Sequence, residues 1–511
     1  MLRRMPFSTG TKAGTAVLLA ASLAACSFVP AYHRPASAVP SAWGDAAHTL
    51  LEGTTPVASG WWRAYGDASL DALVERGLKH NDSLAAARAS VDEARANADR
   101  AGASLYPSLT LDGALARGHR RGGSGAGSAG GGSGTSSTDG TSRSQHLLAA
   151  ASYEIDFWGL NAANANAAGM LAQAAGFERD TIALTLVASI VDTYFEVQSL
   201  RQRLALAQSI SADAEKVLAL LEAQRAAGVT TELQVQQQRN ALATFRAALP
   251  ALRQQHSLSV HLLATLVGAA PEGFEIAAVP LGNIPVPQPR ANLPARLLDA
   301  RPDIRASEAR LQAANEDVGA ARAAFFPNLS LTAQEGLSSS ALSRFLSSPL
   351  TSVAAALTAP IFDGGALRGQ LHAREAASAR SVADYRQTVV SALRDVEDML
   401  TVASEQRSVE TENRAAADAA REAARLANAQ YRNGTVDFLA VLDTQRTLYQ
   451  SEDALAQTRL ARLQASVGLF RAFGGGFGVT DAVQAAATIA ASDAPPRSNP
   501  SPVHFFHRSP P

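Results

Sequence analysis

EAQRAAGVTTELQV at residues 222–235 and NAQYRNGTVDFLAV at residues 428–441 are two versions of one segment. Gly434 lies 206 positions after Gly228, as Gln430 does after Gln224 and Leu439 after Leu233. A second pair recurs further out. SLYPSLTLDG at 104–113 returns as AFFPNLSLTA at 324–333, with Pro327 lying 220 positions after Pro107. The two offsets differ by 14, and the surplus falls in the Gly/Ser run from about 118 to 144, which is longer than its counterpart near 338 to 349. One duplicated unit with one expanded loop accounts for both offsets.

Each unit carries two stretches of period-2 alternation, the signature of a strand with one apolar face. Over 327–337, Leu329, Leu331, Ala333 and Leu337 share a face opposite Asn328, Ser330, Thr332 and Gln334. Near 350–362, Leu357 and Ile361 alternate with Ser352, Ala356 and Thr358. In the first unit Leu109, Leu111 and Leu115 form one face, and Leu147, Ala149, Ala151, Tyr153, Ile155 and Phe157 another. Strands of roughly 10 residues with this alternation suit a transmembrane barrel. An ordinary half-buried hairpin of a soluble domain fits each of them equally well.

Between the hairpins run long helical tracts. From about 160 to 227, Ile182, Leu186, Ile190, Tyr194, Val197, Leu200 and Leu204 recur at three- and four-residue steps, and the tract from 366 to 432 contains no proline. At about 1.5 Å per residue such a helix extends on the order of 100 Å. Return helices are expected at 232–267 and 437–472, with further helices at about 67–104 and 295–324. The order helix, hairpin, long helix, tight turn, helix then occurs twice. Gly228 and Gly434 close the long helices, where a left-handed residue is needed.

Four strands cannot close a barrel, and eight leave an interior filled with side chains. A water-filled lumen needs about three copies, so oligomerisation follows from the strand count. No stretch after the N-terminus is long and apolar enough for a transmembrane helix, which leaves strands as the only means of spanning.

The first residues read as a signal peptide over 1–25, with Arg3, Arg4 and Lys12 ahead of an apolar run from Ala13 to Ala24. It ends in Leu23-Ala24-Ala25-Cys26, similar to the lipobox of bacterial lipoproteins, and Cys26 is the sole cysteine. Acylation of Cys26 supplies an anchor, since each buried methylene contributes about 0.8 kcal/mol. A plain secretory signal with an incidental cysteine is the other reading. Ser27, rather than Asp, follows the cysteine, which by resemblance to lipoprotein sorting suggests delivery to the outer membrane.

Acidic and basic residues nearly cancel, 46 against 45, which leaves no electrostatic footprint for nucleic acid. There is no CxxC, no HExxH and no Walker-type lysine after the glycine run. No catalytic, cofactor or metal site is expected, and the chain is not read as an enzyme. Residues 476–511 read as a disordered tail.

Four blocks together carry a resemblance. CSFVPAYHRPA at 26–36, WWRAYGDASLDALVERGLKHNDSL at 61–84, ARPDIRASEARLQAANEDVGAARAAFFPNLSLTA at 300–333 and RNGTVDFLAVLDTQRTLYQSEDAL at 432–455 are similar to the TolC-like outer-membrane factors of tripartite efflux and type I export systems. Within that family they resemble the NodT-type lipoprotein subgroup. The resemblance implies an α+β membrane protein: a trimeric twelve-stranded β-barrel, four strands per chain, continuing into a long α-helical periplasmic barrel. It divides the chain into an anchored and equatorial segment at 26–66 and a first repeat at 67–268, with a hairpin at about 107–158 and a tip at 225–231. An equatorial linker at 269–294 follows. The second repeat covers 295–475, with a hairpin at about 327–362 and a tip at 431–437.

The resemblance also implies partners and site residues. A homotrimer would meet a periplasmic adaptor at tips built from Gly228, Val229, Thr230, Gly434, Thr435 and Val436. Through the adaptor it would serve an inner-membrane pump, proton-driven by expectation, so the duct needs no energy-coupling site of its own. The family's closed aperture maps to Leu439 and Asp443; Ala440 stands where some relatives carry a second acidic residue. A trimeric surface adhesin or structural coiled-coil lipoprotein would share the anchor and the long helices. Within the export class, a type I protein-secretion duct and a metal-ion efflux duct stay open beside drug efflux.

Overall fold

Alternation in the sequence becomes a single antiparallel sheet. In the computed structural model, described over residues 28–36, 39–44, 57–120, 140–289, 294–340 and 342–477, strands β1 (Ser108–Arg120), β2 (Gly140–Ile155), β3 (Asn328–Ser339) and β4 (Pro349–Thr358) pair in the order β1-β2-β3-β4. The two hairpins therefore join side by side. The register aligns the four apolar faces, with Leu109 opposite Ala151, Tyr153 opposite Leu331 and Leu331 opposite Ala355, though Glu335 also falls on this face, between Ala149 and Thr351. One step along, Ala151 meets Ala333, which meets Val353. β1 and β4 are the two edges.

The helices follow the tracts read from the sequence. They are α1 (Ala68–His80), α2 (Asp82–Gly102), α3 (Leu160–Ala226), α4 (Glu232–Leu266), α5 (Pro294–Ala300), α6 (Pro302–Ala323), α7 (Ala366–Arg432) and α8 (Phe438–Ala472). α3 and α7 each have 67 residues, and α4 and α8 each have 35, so the long helices and their return helices are duplicated at equal length. Two tracts expected as single helices are each broken once. The break in 67–104 falls at Asn81, whose extended backbone ends α1 and whose side chain accepts from the Leu84 amide at 3.0 Å to start α2. The break in 295–324 falls at Arg301, because Pro302 drives its predecessor out of helical geometry. β2 and β4 also stop short of Phe157 and Ile361, β4 just before Pro360, so those two apolar residues lie beyond the strands.

The described chain packs as two compact units. Among the described residues, the first draws on those from 28–36, 89–175 and 306–386 and contains the sheet; the second draws on those from 39–88, 176–305 and 387–477. In the first unit an extended strap from Phe28 to Arg34 lies along α6. Asn315 donates to the Pro30 carbonyl at 2.7 Å, while Arg34 gives Glu308 two hydrogen bonds, at 2.7 and 2.8 Å. Phe28 stacks on Phe326 at 4.4 Å, and Trp158 stacks on the same ring at 4.9 Å. The strap crosses α6 at Gly319, where a Cβ would come within 2.4 Å of Val29.

The second unit is built round a core of Trp61, Tyr65, Tyr194, Phe195, Val467 and Phe470. Trp61 stacks on Phe470 at 4.9 Å. The two buried tyrosine hydroxyls both find acceptors, Tyr65 on Ser466 at 3.0 Å and Tyr194 on Asp67 at 2.5 Å. Of the segment expected to be equatorial, 269–294, residues 269–289 lie on this core. Gln198 donates to the Ala277 carbonyl at 2.7 Å, and Arg459 reaches the Ile284 carbonyl at 2.5 Å. Arg459 also belongs to a charge cluster in which Arg414, Arg459 and Arg462 converge on the buried Glu410. Burial works to raise the Glu410 carboxyl, but the hydrogen bond from Arg462 and the three positive charges outweigh it and hold the group below the usual range.

Candidate functional site

Two surfaces carry the functional reading, the exposed sheet face and the pair of inter-helix tips. On the sheet, Leu109, Leu111 and Leu115 of β1 are 77%, 72% and 81% exposed, and Val353 and Leu357 of β4 are 82% and 71% exposed. All share the apolar face set by the register, and among the described residues none shields these five side chains. The opposite face carries Thr110, Asp112, Ser152, Glu154, Ser330, Thr332, Gln334, Ser352 and Thr358. An exposed apolar patch of this size marks a surface meant for another medium or another molecule. Exposed aromatics gather where the strands meet their helices: Tyr106 before β1, Phe157 after β2 and Phe362 after β4. No helix among the described residues is long and apolar enough to cross a membrane.

The tips are cut from one template. Gly228 and Gly434 both have φ of 72°. The Gly228 amide donates to Arg225 at 3.0 Å and the Val229 amide to Gln224 at 2.9 Å; the Gly434 amide donates to Tyr431 at 3.0 Å and the Thr435 amide to Gln430 at 3.0 Å. Both are Schellman caps, which satisfy the last carbonyls of α3 and α7. The following N-caps differ. Thr231 and Gln234 form a reciprocal capping box on α4, whereas Asp437 accepts from the Ala440 amide at 3.1 Å on α8. Of the expected docking residues, Val229 is 75% exposed and free for contact. Gly228, Thr230, Gly434 and Thr435 stand at the same two turns, with Val436 beside them partly covered. Behind the turns Leu221, Val235, Ala427, Phe438 and Val441 pack as one buried cluster, so the two tips are held together.

Leu439 and Asp443 lie one turn apart on α8, both exposed, on a groove shared with Gln237, Asn240 and Phe245 of α4. Asp443 is not a bare carboxylate: Arg446 donates to it at 2.7 Å. In the sequence the only signal of that partner is the i,i+3 spacing of Asp and Arg in DTQR. The first repeat places Leu233 and Gln237 at the equivalent positions, so the carboxylate belongs to the second repeat alone.

Cys26 lies outside the described residues, as do the signal segment, most of the Gly/Ser run and the tail from 478. The strap that follows Cys26 is described from Phe28, and its seat on Phe326 and Trp158 had no sequence signal beyond the aromatics themselves. Among the described residues no His/Cys/Asp/Glu group could hold a metal ion.

Known proteins match both repeats. The outer membrane efflux protein family matches residues 73–269 and 293–475. The chain is 36% identical to the pyoverdine export outer membrane protein OpmQ of Pseudomonas aeruginosa, over 89% of this chain and 95% of that protein. It is 34% identical to the outer membrane protein OprJ of the same organism, over 91% and 95%. Among solved structures, the outer-membrane channel OprN superposes with a TM-score of 0.80 at 29% identity, covering 89% of this chain and all of that one. The duplicated helix-hairpin-helix unit, the lipid-suited sheet face and these matches agree: the chain belongs to the outer membrane efflux protein family.

Proposed function

We propose that three copies of this chain close their sheets into one twelve-stranded barrel in the outer membrane, and that the assembly is the passive exit duct of a tripartite export system. The observation that carries this is the sheet, which presents an exposed, largely apolar face and is open at both edges. In a bilayer, unpaired edge amides and carbonyls each cost several kcal/mol, so the edges must pair with other copies. β4 of one copy is free to pair with β1 of the next. Eight strands would fill their own interior, whereas twelve leave room for water behind the serines, threonines and carboxylates of the polar face.

The helical tips serve as the docking end for a periplasmic adaptor, and through it the duct takes cargo from an inner-membrane pump. Exposed Val229 and the turn residues of both tips offer contacts on a stiff, pre-capped scaffold. Likeness to OpmQ, which is named for pyoverdine export, favours a small-molecule cargo over a secreted polypeptide. Acylated Cys26 anchors each subunit, with the strap leading from it to α6.

Leu439 and Asp443 form the closed aperture of the periplasmic end. Three Asp443 carboxylates, each beside its own Arg446, make a cation-binding constriction whose mutual repulsion closure must balance. Purified protein should form trimers in detergent and give discrete single-channel currents in planar bilayers. Monomers, or trimers that never conduct even with the aperture mutated, would sink the duct. Asp443→Ala should raise conductance several-fold and sensitise cells to large antibiotics, while unchanged conductance and susceptibility would remove Asp443 from the aperture.

A further inference from the structure

The two hairpins share one register, and that register fixes how β4 of one copy can meet β1 of the next. Along the chain β1 recurs as β3 after 220 residues, and β2 as β4 after 206. Ser108 starts β1 and Asn328, its counterpart, starts β3; Leu160 and Ala366, 206 apart, start the helices that follow the two hairpins. Paired residue numbers add to 260 across β1 and β2 and to 686 across β3 and β4, and the difference of 426 is 220 plus 206. Each pair of the second hairpin is thus the counterpart of a pair in the first, as Thr110 with Ala150 recurs as Ser330 with Ala356.

The joint between β2 and β3 shows the step from one hairpin to the next. Its paired numbers add to 484. Ser108 is level, through Ser152, with Thr332, four residues inside the start of β3. A fixed slip from strand to strand is what tilted strands with level ends require. Threefold symmetry puts every β1 at one height, so at uniform tilt the step from β3 to the next β1 slips by four as well. Moving the β2–β3 joint forward by 206 on one side and back by 220 on the other gives a sum of 470.

Exposure points to the same alignment. Within the chain Ile155 of β2 pairs with Leu329 of β3, and both are partly buried. Their counterparts at the sum of 470 are Ile361 and Leu109, which are 92% and 77% exposed. On the polar face Thr358 comes level with Asp112, whose carboxylate already accepts from Thr110 at 3.1 Å.

We propose that β4 of each copy joins β1 of the next in this one register, from Thr358 opposite Asp112 to Ser352 opposite Gly118, with Ile361 beside Leu109 beyond the end of β4. The alignment presupposes the barrel proposed above and also sets its width. Eight residues of slip per chain, four for each hairpin, make 24 round three chains. At about 3.3 Å per residue and about 4.8 Å between strands, twelve strands with that slip tilt by about 54°. This is steeper than the roughly 35–45° of most barrels, and it opens the backbone cylinder to roughly 32 Å, against roughly 23 Å at half the slip.

The full chain would carry paired cysteines, with wild type, whose one cysteine is Cys26, as the blank. Ala355→Cys with Leu115→Cys tests the apolar face, and Ala356→Cys with Ala114→Cys the polar face. Ala355→Cys with Gly113→Cys, or with Arg117→Cys, misses by two residues. That offset separates the Cα atoms by about 8 Å, beyond the roughly 7 Å a disulfide spans. Oxidised in the membrane and run without reductant, the matched pairs should give covalent trimers at least ten-fold more abundantly than the offset pairs. Before oxidation every variant should form trimers and conduct as wild type does. Stronger linkage by an offset pair, or equal linkage by all of them, would overturn the register. So would conducting trimers that neither matched pair links, or a density map of the trimer with a barrel only about 23 Å across. A chain that forms neither trimers nor currents fails at the earlier step, the barrel itself.

Discussion

Single residues show how differently the sequence exposes its information. Gly228 and Gly434 could be read because their chemistry is local: a helix that must stop and turn needs φ near 72°, and glycine provides it. Glu410 could not. Its partners Arg459 and Arg462 come from another helix, and nothing in the spacing of α7 and α8 says which turns will face each other. Asp192 is a sharper case. It sits in α3 among the core residues, with one carboxylate oxygen buried and without a hydrogen-bond partner. Burial pushes its carboxyl from 3.8 up to about 7, with Glu196 adding to the shift and Arg471 opposing it. A carboxyl raised in this way binds its proton more tightly in the folded chain than in the unfolded one. The folded state therefore loses stability as pH rises from about 4 toward 7, and below that window the group contributes no penalty. Asp192→Asn should raise the melting temperature at pH 8 by on the order of 2 °C and leave it unchanged near pH 4, as followed by circular dichroism. A uniform offset at both pH values would show that packing, not ionisation, separates the two proteins.

At the scale of elements, extents were more legible than interruptions. The long tracts of α3 and α7 declare themselves by period and by lack of proline within them, and the return helices by the turns before them. The breaks at Asn81 and Arg301 were written in the sequence too, as an Asn ahead of Asp-Ser and an Arg ahead of Pro, but the apolar period running through them hid the stops. The strap was hidden for another reason. An extended segment has no period of its own, and its place is fixed by partners on α6, namely Glu308, Asn315 and the bare backbone at Gly319. Gly319→Val should therefore unseat the strap without breaking α6, since valine costs little in a helix. Limited proteolysis should then cut between Phe28 and Arg34 at least several-fold faster than in wild type, with helical content unchanged. Equal cutting rates would mean that the Arg34–Glu308 bonds hold the strap unaided.

For the whole molecule, the sheet carries the burden of proof. Alternation alone could not tell a barrel strand from a soluble hairpin, because both have one apolar face. What separates them is whether anything covers that face, and coverage is a property of the folded chain: among the described residues nothing shields Val353, which is 82% exposed. Val353→Asp puts a carboxylate on the lipid side near the middle of β4 and should destabilise the inserted barrel by about 2 kcal/mol, seen as a lower midpoint in urea-driven unfolding from vesicles. Ser352→Asp, one residue away on the polar face, should change that midpoint little. If the two variants behaved alike, the assignment of inside and outside would be wrong.

The twin caps at Gly228 and Gly434 have one more consequence, for symmetry. Their backbone bonds are interchangeable, but the residues that follow are not: Val-Thr-Thr-Glu leads into α4, and Thr-Val-Asp-Phe into α8. A closed assembly of three chains thus presents six ends alike in shape and alternating in chemistry. A ring of six identical partner subunits placed on those ends could not keep six equal bonds. Its members would sort into two kinds, and its sixfold axis would fall to threefold on contact.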